Sequence, residues 1–150
     1  MGTLVERFDN SRPRLLDAGL LLARVGVGGS FAFHGAQKLF GAFGGMGMEK
    51  FAGFLASLSV PLPEVNAWLA AVTEFGCGLL LALGLGARLV GVPLAFTMGV
   101  AFFAAHKGSW GEGELAAILG LVTLALTLTG PGRASVNALI WKRAVARGRA

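Results

Sequence analysis

Cysteine is almost absent from this sequence. Cys77 is the only one. That excludes an intramolecular disulfide framework, a CxxC redox pair, a four-cysteine cluster and a covalently attached c-type haem. Charge is scarce as well. Charged residues make up 14% of the chain, against about 25% in a soluble domain. So few charges do not cover a water-facing surface of this size. What is abundant is apolar: 55% of the residues are hydrophobic and the mean hydropathy is +0.70. An integral membrane protein is the expected class.

The 150 residues accommodate about four spans of roughly 20 residues each. No room remains for a separate soluble domain, so residues 1–150 are expected to form one membrane domain. The polar start, MGTLVERFDNSRPR, lacks the apolar core and cleavage site of a signal peptide, and no cleaved targeting segment is expected. Apolar runs place spans at about 17–39, 65–85, 88–105 and 114–129. Glycines after residue 40, Pro61 and Pro63, Gly84 and Gly86, and the run Gly130-Pro131-Gly132 punctuate them. Pro93 falls near the start of the third span, either in its first turns or as a kink. The fold class is therefore all-α, a polytopic membrane four-helix bundle.

The first connection is long. Within it, Met48, Phe51, Phe54, Leu55 and Leu58 recur at helical spacing. They predict a short amphipathic helix, lying on the membrane surface or tucked over the bundle. Such a loop is either functional or a simple lid. Small residues four apart, such as Gly78 and Ala82, permit close helix approach. Glycine and alanine are too common here for partners to be assigned.

Net charge is +5 and the isoelectric point near 10.4, which by itself suggests nucleic acid. The position of the charges argues for membrane topology instead. Arg7, Arg12, Arg14, Arg88, Arg133, Lys142, Arg143, Arg147 and Arg149 share one side of a four-span protein, and Lys38, Lys50 and Lys107 the other. Nine basic residues against three predict both termini in the cytoplasm. The basic tail, 131–150, carries VNALIWKRAVAR. Attraction to anionic lipid accounts for it, and no nucleic-acid partner is expected.

Ionisable residues inside spans are costly and usually face the bundle interior, a partner or a cavity. Arg24, His34 and Lys38 fall within an arc of roughly 80° on span 1, with Gln37 expected to point away. Glu74 lies near the middle of span 2. It can pair with Arg24 below it or with His34 or Lys38 above it. His106 and Lys107 end span 3, and Glu112 and Glu114 open span 4. The polar set either holds the helices in register or forms a site toward the outer leaflet. No HxxxH or ExxH pair supports a metal centre. No P-loop, GxGxxG after a strand, or nucleophile–base pair is present.

The order of motifs is informative: a basic residue in span 1, FHGAQKLFG, then Gly44-Gly45, a loop helix ending FLASLSVPLP, TEFGCGLLLALGLGAR, AAHKG, Glu114, and TGPGRASV. This order resembles the DoxX family of small four-helix membrane proteins, across roughly residues 15–137. HGxxKLFG and ExxxGxxLxLG are its most specific parts. The family is named for a subunit of a membrane thiosulfate:quinone oxidoreductase. There thiosulfate is oxidised to tetrathionate and electrons pass to quinone. Other members are associated with membrane oxidoreductase complexes and with thiol or oxidative-stress handling.

The resemblance implies family-like polar positions at Arg24, His34, Lys38, Glu74, His106 and Glu114. It implies a quinone-interacting subunit, with redox chemistry supplied by a quinone or a partner oxidoreductase subunit. In that reading His34, Lys38, His106 and Arg24 are the candidate quinone contacts, with no covalent cofactor. Glu74 or Glu114 relays protons. Phe31, Phe40, Phe43 and Phe103 line an apolar slot. Lipid contact is expected, and a homo-oligomer is compatible. The alternative is a non-enzymatic membrane scaffold, assembly factor or small-molecule carrier built on the same polar network.

Overall fold

The computed structural model describes residues 4–148. It is all-helical, and four of its helical stretches are long and apolar enough to cross a membrane. They are Arg14–Phe40, Pro63–Leu83, Ala87–Ala105 and Trp110–Thr129. The helix carrying the first span, α1, runs from Leu4 to Phe40. It therefore begins well before the expected boundary at residue 17, although only its later part is apolar enough to span. The fourth span likewise begins at Trp110 rather than near 114. Glu112 and Glu114 thus sit inside its first turns, where acids complement the helix dipole.

After α1, a tight turn through Gly41–Gly45 leads into α2, Gly47–Ser57. This is the expected loop helix. It packs against α1 and α3, so it is tucked over the bundle. Its Phe51 is buried while Phe54 remains exposed. Span 2 is composite: α3, Pro63–Val72, a π-helical turn, Thr73–Cys77, and α4, Gly78–Leu83. Pro63 occupies the first turn of α3, where its missing N–H costs no hydrogen bond. Gly84 and Gly86 adopt left-handed backbone and reverse the chain into α5, Ala87–Val100. Pro93 lies in the interior of α5, so the first-turn alternative does not hold. A second π turn, Ala101–Ala105, ends this span. Then come α6, Trp110–Thr129, and a short helix, α7, Val136–Ala146.

Heptad-like seams hold the bundle together. Along α1 the inward positions are Arg24, Gly28, Phe31, Gly35 and Lys38; the first four are buried and Lys38 partly so. Facing them are Ala67, Ala71, Glu74, Gly78 and Leu81. Both rows alternate spacings of four and three, the period that keeps a seam on a straight line. The backbones touch. A Cβ added at Gly28 would lie 2.6 Å from the Ala82 nitrogen, and one at Gly78 would lie 2.7 Å from the Ala32 nitrogen. On the other side, α5 packs against α6, with Leu94, Met98, Ala116 and Leu126 in the core. The outward faces carry exposed Leu22, Leu89, Phe96, Phe103 and Leu128. Such a surface belongs in lipid rather than water.

Candidate functional site

The seam between α1 and span 2 carries a basic residue of α1 at each end. At one end Lys38 Nζ donates to both carboxylate oxygens of Glu74, at 2.5 Å. The Glu74 side chain is 2% exposed and that of Lys38 is 23% exposed. Long helical side chains lean toward their own N-terminus. Lys38, two residues from the end of α1, therefore reaches back into the bundle. Glu74 meets it from within the π turn, where the Gly78 N–H serves the carbonyls of both Glu74 and Phe75. Single π turns inside α-helices are frequent at functional sites.

The pair is roofed. Gly35 lies against the Phe75 backbone, which sets the two helices level at that point. The first turns of α3 then rise about 10 Å beyond the end of α1, and α2 fills the space beside them. From that roof the buried Phe51 presents its ring to Lys38, with Nζ 4.9 Å from the centroid. An aromatic face stabilises an ammonium group that has left water.

A polar shelf flanks the pair. His34, one turn before Lys38, holds Nδ1 3.1 Å from Gln37 Oε1. The expectation that Gln37 points away is corrected: at three residues' separation two side chains are neighbours on a helix. Beyond the shelf lies an aromatic patch. Phe33 stacks on Phe43 at 5.0 Å, and Phe40 meets Phe75 edge-on at 5.4 Å. Phe40 and Phe43 are exposed, and Phe43 has left-handed backbone that costs a non-glycine residue energy. Phe31 is packed in the core at 1% exposure, away from any slot, and Phe103 faces outward from span 3.

Arg24 ends the same seam on the opposite side of the bundle. It does not pair with Glu74. Its guanidinium donates to the carbonyl oxygens of Pro131, at 2.7 Å, and Ala134. Gly84, where a Cβ would strike that guanidinium, leaves it room. Arg24 thus fastens the chain after α6 to α1. Asp17 helps by accepting from the Arg133 N–H at 2.8 Å. Lys38 and Arg24 are 14 positions apart, about 21 Å along α1, so one compact ligand does not contact both.

Among the described residues, no hydrogen bond or ion pair joins His106 or Glu114 to Lys38 or Glu74. His106 is half-buried at the end of the second π turn, against Gly113. Glu114 is exposed. The described residues contain no group of three or more His, Cys, Asp or Glu side chains placed to hold a metal ion. The residues brought together are therefore Lys38 and Glu74, joined by Phe51, with His34 one helical turn from Lys38 and bonded to Gln37. Gln37 had a signal in its spacing from His34. Phe51 had none, because the fold of the loop decides what lies beneath it.

The comparisons with known proteins agree with this architecture. The DoxX family profile matches residues 19–107. Putative oxidoreductase CatD of Bacillus subtilis is 32% identical, over 84% of this chain and 90% of that protein. Uncharacterized membrane protein Rv3486 of Mycobacterium tuberculosis is 33% identical, over 92% and 93% respectively. Inner membrane protein YphA of Escherichia coli is 29% identical, over 87% and 93%. No solved structure matches the chain. With the family profile covering more than half of the sequence, and relatives aligned across almost their full lengths, this four-span protein belongs to the DoxX family.

Proposed function

We propose that this chain is the quinone-interacting membrane subunit of an oxidoreductase complex, with its headgroup site at Lys38, Glu74 and His34. The observation that carries the reading is the Lys38–Glu74 pair, with Glu74 buried in a π turn, Lys38 partly exposed, and His34 one helical turn before Lys38. The donor set fits a quinone headgroup. Lys38 and His34 carry N–H groups suited to carbonyl oxygens, and exposed Phe40 and Phe43 offer apolar surface for a lipid tail. A bound quinone would supply an acceptor for two electrons and two protons, the electrons arriving from a partner subunit.

In this reading Lys38 and His34 orient the headgroup. Glu74 holds a proton-exchanging carboxylate at the buried end, paired with Lys38. The relative named Putative oxidoreductase CatD supports the chemistry by its name alone. We place the protein in the inner membrane with both termini cytoplasmic, on the nine-to-three distribution of basic residues.

The scaffold, assembly or carrier reading has one observation in its favour: Lys38 and Glu74 satisfy each other, as a purely structural pin would. Quinone titration of the purified protein separates the two. Trp68 and Trp110 report by fluorescence in a Trp141→Phe background. Saturable quenching is expected, weakened about tenfold or more in folded Glu74→Gln and His34→Ala/Lys38→Ala variants. Quenching that never saturates, or that is equal in parent and variants, would sink the quinone reading and leave the pin.

A further inference from the structure

The last part of the sequence has a one-sided charge. After Glu114 there is no acidic residue to the end of the sequence, while Arg133, Lys142, Arg143, Arg147 and Arg149 are all basic. Four of these five fall on α7 or the residues just after it. Within the described residues, α7 is nearly bare. Its one backbone bond to the bundle runs from the Asn137 N–H to the Gly84 carbonyl at its first turn, 3.4 Å. Ile140, Trp141 and Val145 are more than half exposed.

At 100° per residue, Ile140, Ala144, Trp141, Val145 and Ala138 occupy one arc of about 160°, together with Asn137, and Lys142, Arg143 and Arg147 fall in the rest of the circle, where Val136, Ala146 and exposed Leu139 lie among them. The root of α7 is fixed at the membrane. Thr129 is the last residue of the fourth span, and Val136 opens α7 seven positions later. Buried Arg24 grips the intervening loop through Pro131 and Ala134, and Ser135 caps α7 by accepting from the Ala138 N–H at 3.2 Å. Beside this root an open groove of about 400 Å³ runs past Pro131, Gly132 and Ser135 to Ala138 and Trp141.

We propose that α7 is a membrane-surface arm that binds anionic phospholipid. Its apolar arc and Trp141 enter the headgroup layer, its cations meet lipid phosphates, and the Arg24 latch holds the arm where the fourth span ends. Charge complementarity selects this occupant. A cationic, acid-free helix rooted at a bilayer face meets negative headgroups first, and tryptophan prefers that depth.

The test uses the full chain in lipid vesicles. Trp68→Phe and Trp110→Phe leave Trp141 as the only reporter. Vesicles are phosphatidylcholine alone or mixed with phosphatidylglycerol. With phosphatidylglycerol, Trp141 emission is expected to shift to the blue and acrylamide quenching to fall severalfold, with salt reversing both. Each of Lys142→Gln, Arg143→Gln and Arg147→Gln is expected to weaken the lipid-engaged state about fivefold, with helical content unchanged. Equal acrylamide access in the two lipids overturns the proposal. So does protection that follows protein density in the vesicle rather than lipid charge, which would assign the face to a second copy of the chain.

Discussion

The energetics of this protein turn on two basic side chains of one helix. Glu74 has left water and Lys38 largely so, and each removes the other's unpaired charge. Deleting one partner of a buried pair costs about 3–5 kcal/mol, because the survivor remains buried and uncompensated. Replacing both with apolar groups of similar size costs far less. Lys38→Met alone should therefore lower the unfolding temperature in detergent much more than Lys38→Met/Glu74→Leu. Equal losses in the single and double variants would show that the two charges are not coupled. Arg24 solves a different problem. Its planar fork serves two carbonyls at once, which a lysine ammonium does poorly. Sequence position left Glu74 with three basic candidates on one face of α1. The register of the two seams chose Lys38.

At the level of elements, contact between α1 and span 2 depends on glycines at particular positions. Gly28 and Gly78 sit where the helices nearly touch, whereas Gly26 and Gly29 face open space. Gly28→Ala should cost about 1–3 kcal/mol by overpacking, and Gly26→Ala should leave stability nearly unchanged. Thermal unfolding of the two variants checks this, and similar losses would refute the seam. The 24-28-31-35-38 spacing was present in the sequence as a pattern. Abundant glycine and alanine concealed it, since many equally spaced small residues face lipid. The π turn at 73–77 left no comparable mark, because its hydrogen-bond shift depends on what packs against it. The loop helix was visible from its periodicity, and its place over the bundle was not.

For the molecule as a whole, four apolar helices turn many large apolar side chains outward and bury Arg24, Glu74 and Thr123 alongside core residues such as Phe31, Leu81 and Leu94. The loop after α6 is tied to α1 by Arg24 and Asp17, so α7 and the span 1 start share one side of the bundle. A reporter active only outside the cytoplasm should stay silent when fused after Ala150 and become active when inserted at the turn near Lys107. The reverse pattern would invert the topology and move the Lys38–Glu74 site toward the cytoplasmic leaflet.

Composition and patterning alone determined a four-span, all-helical membrane protein, the loop helix, and the short set of ionisable residues that lipid makes expensive. Those features are local: hydropathy along the chain and punctuation by glycine and proline settle them. Tertiary structure alone decided that Glu74 pairs with Lys38, that Arg24 is committed to the carbonyls of Pro131 and Ala134, that Phe51 roofs the pair, and that His106 and Glu114 are not joined to it. Those outcomes depend on helix register and on the π turn, which are set by backbones meeting at glycines far apart in the chain. A buried charge finds its partner only after the helices have packed.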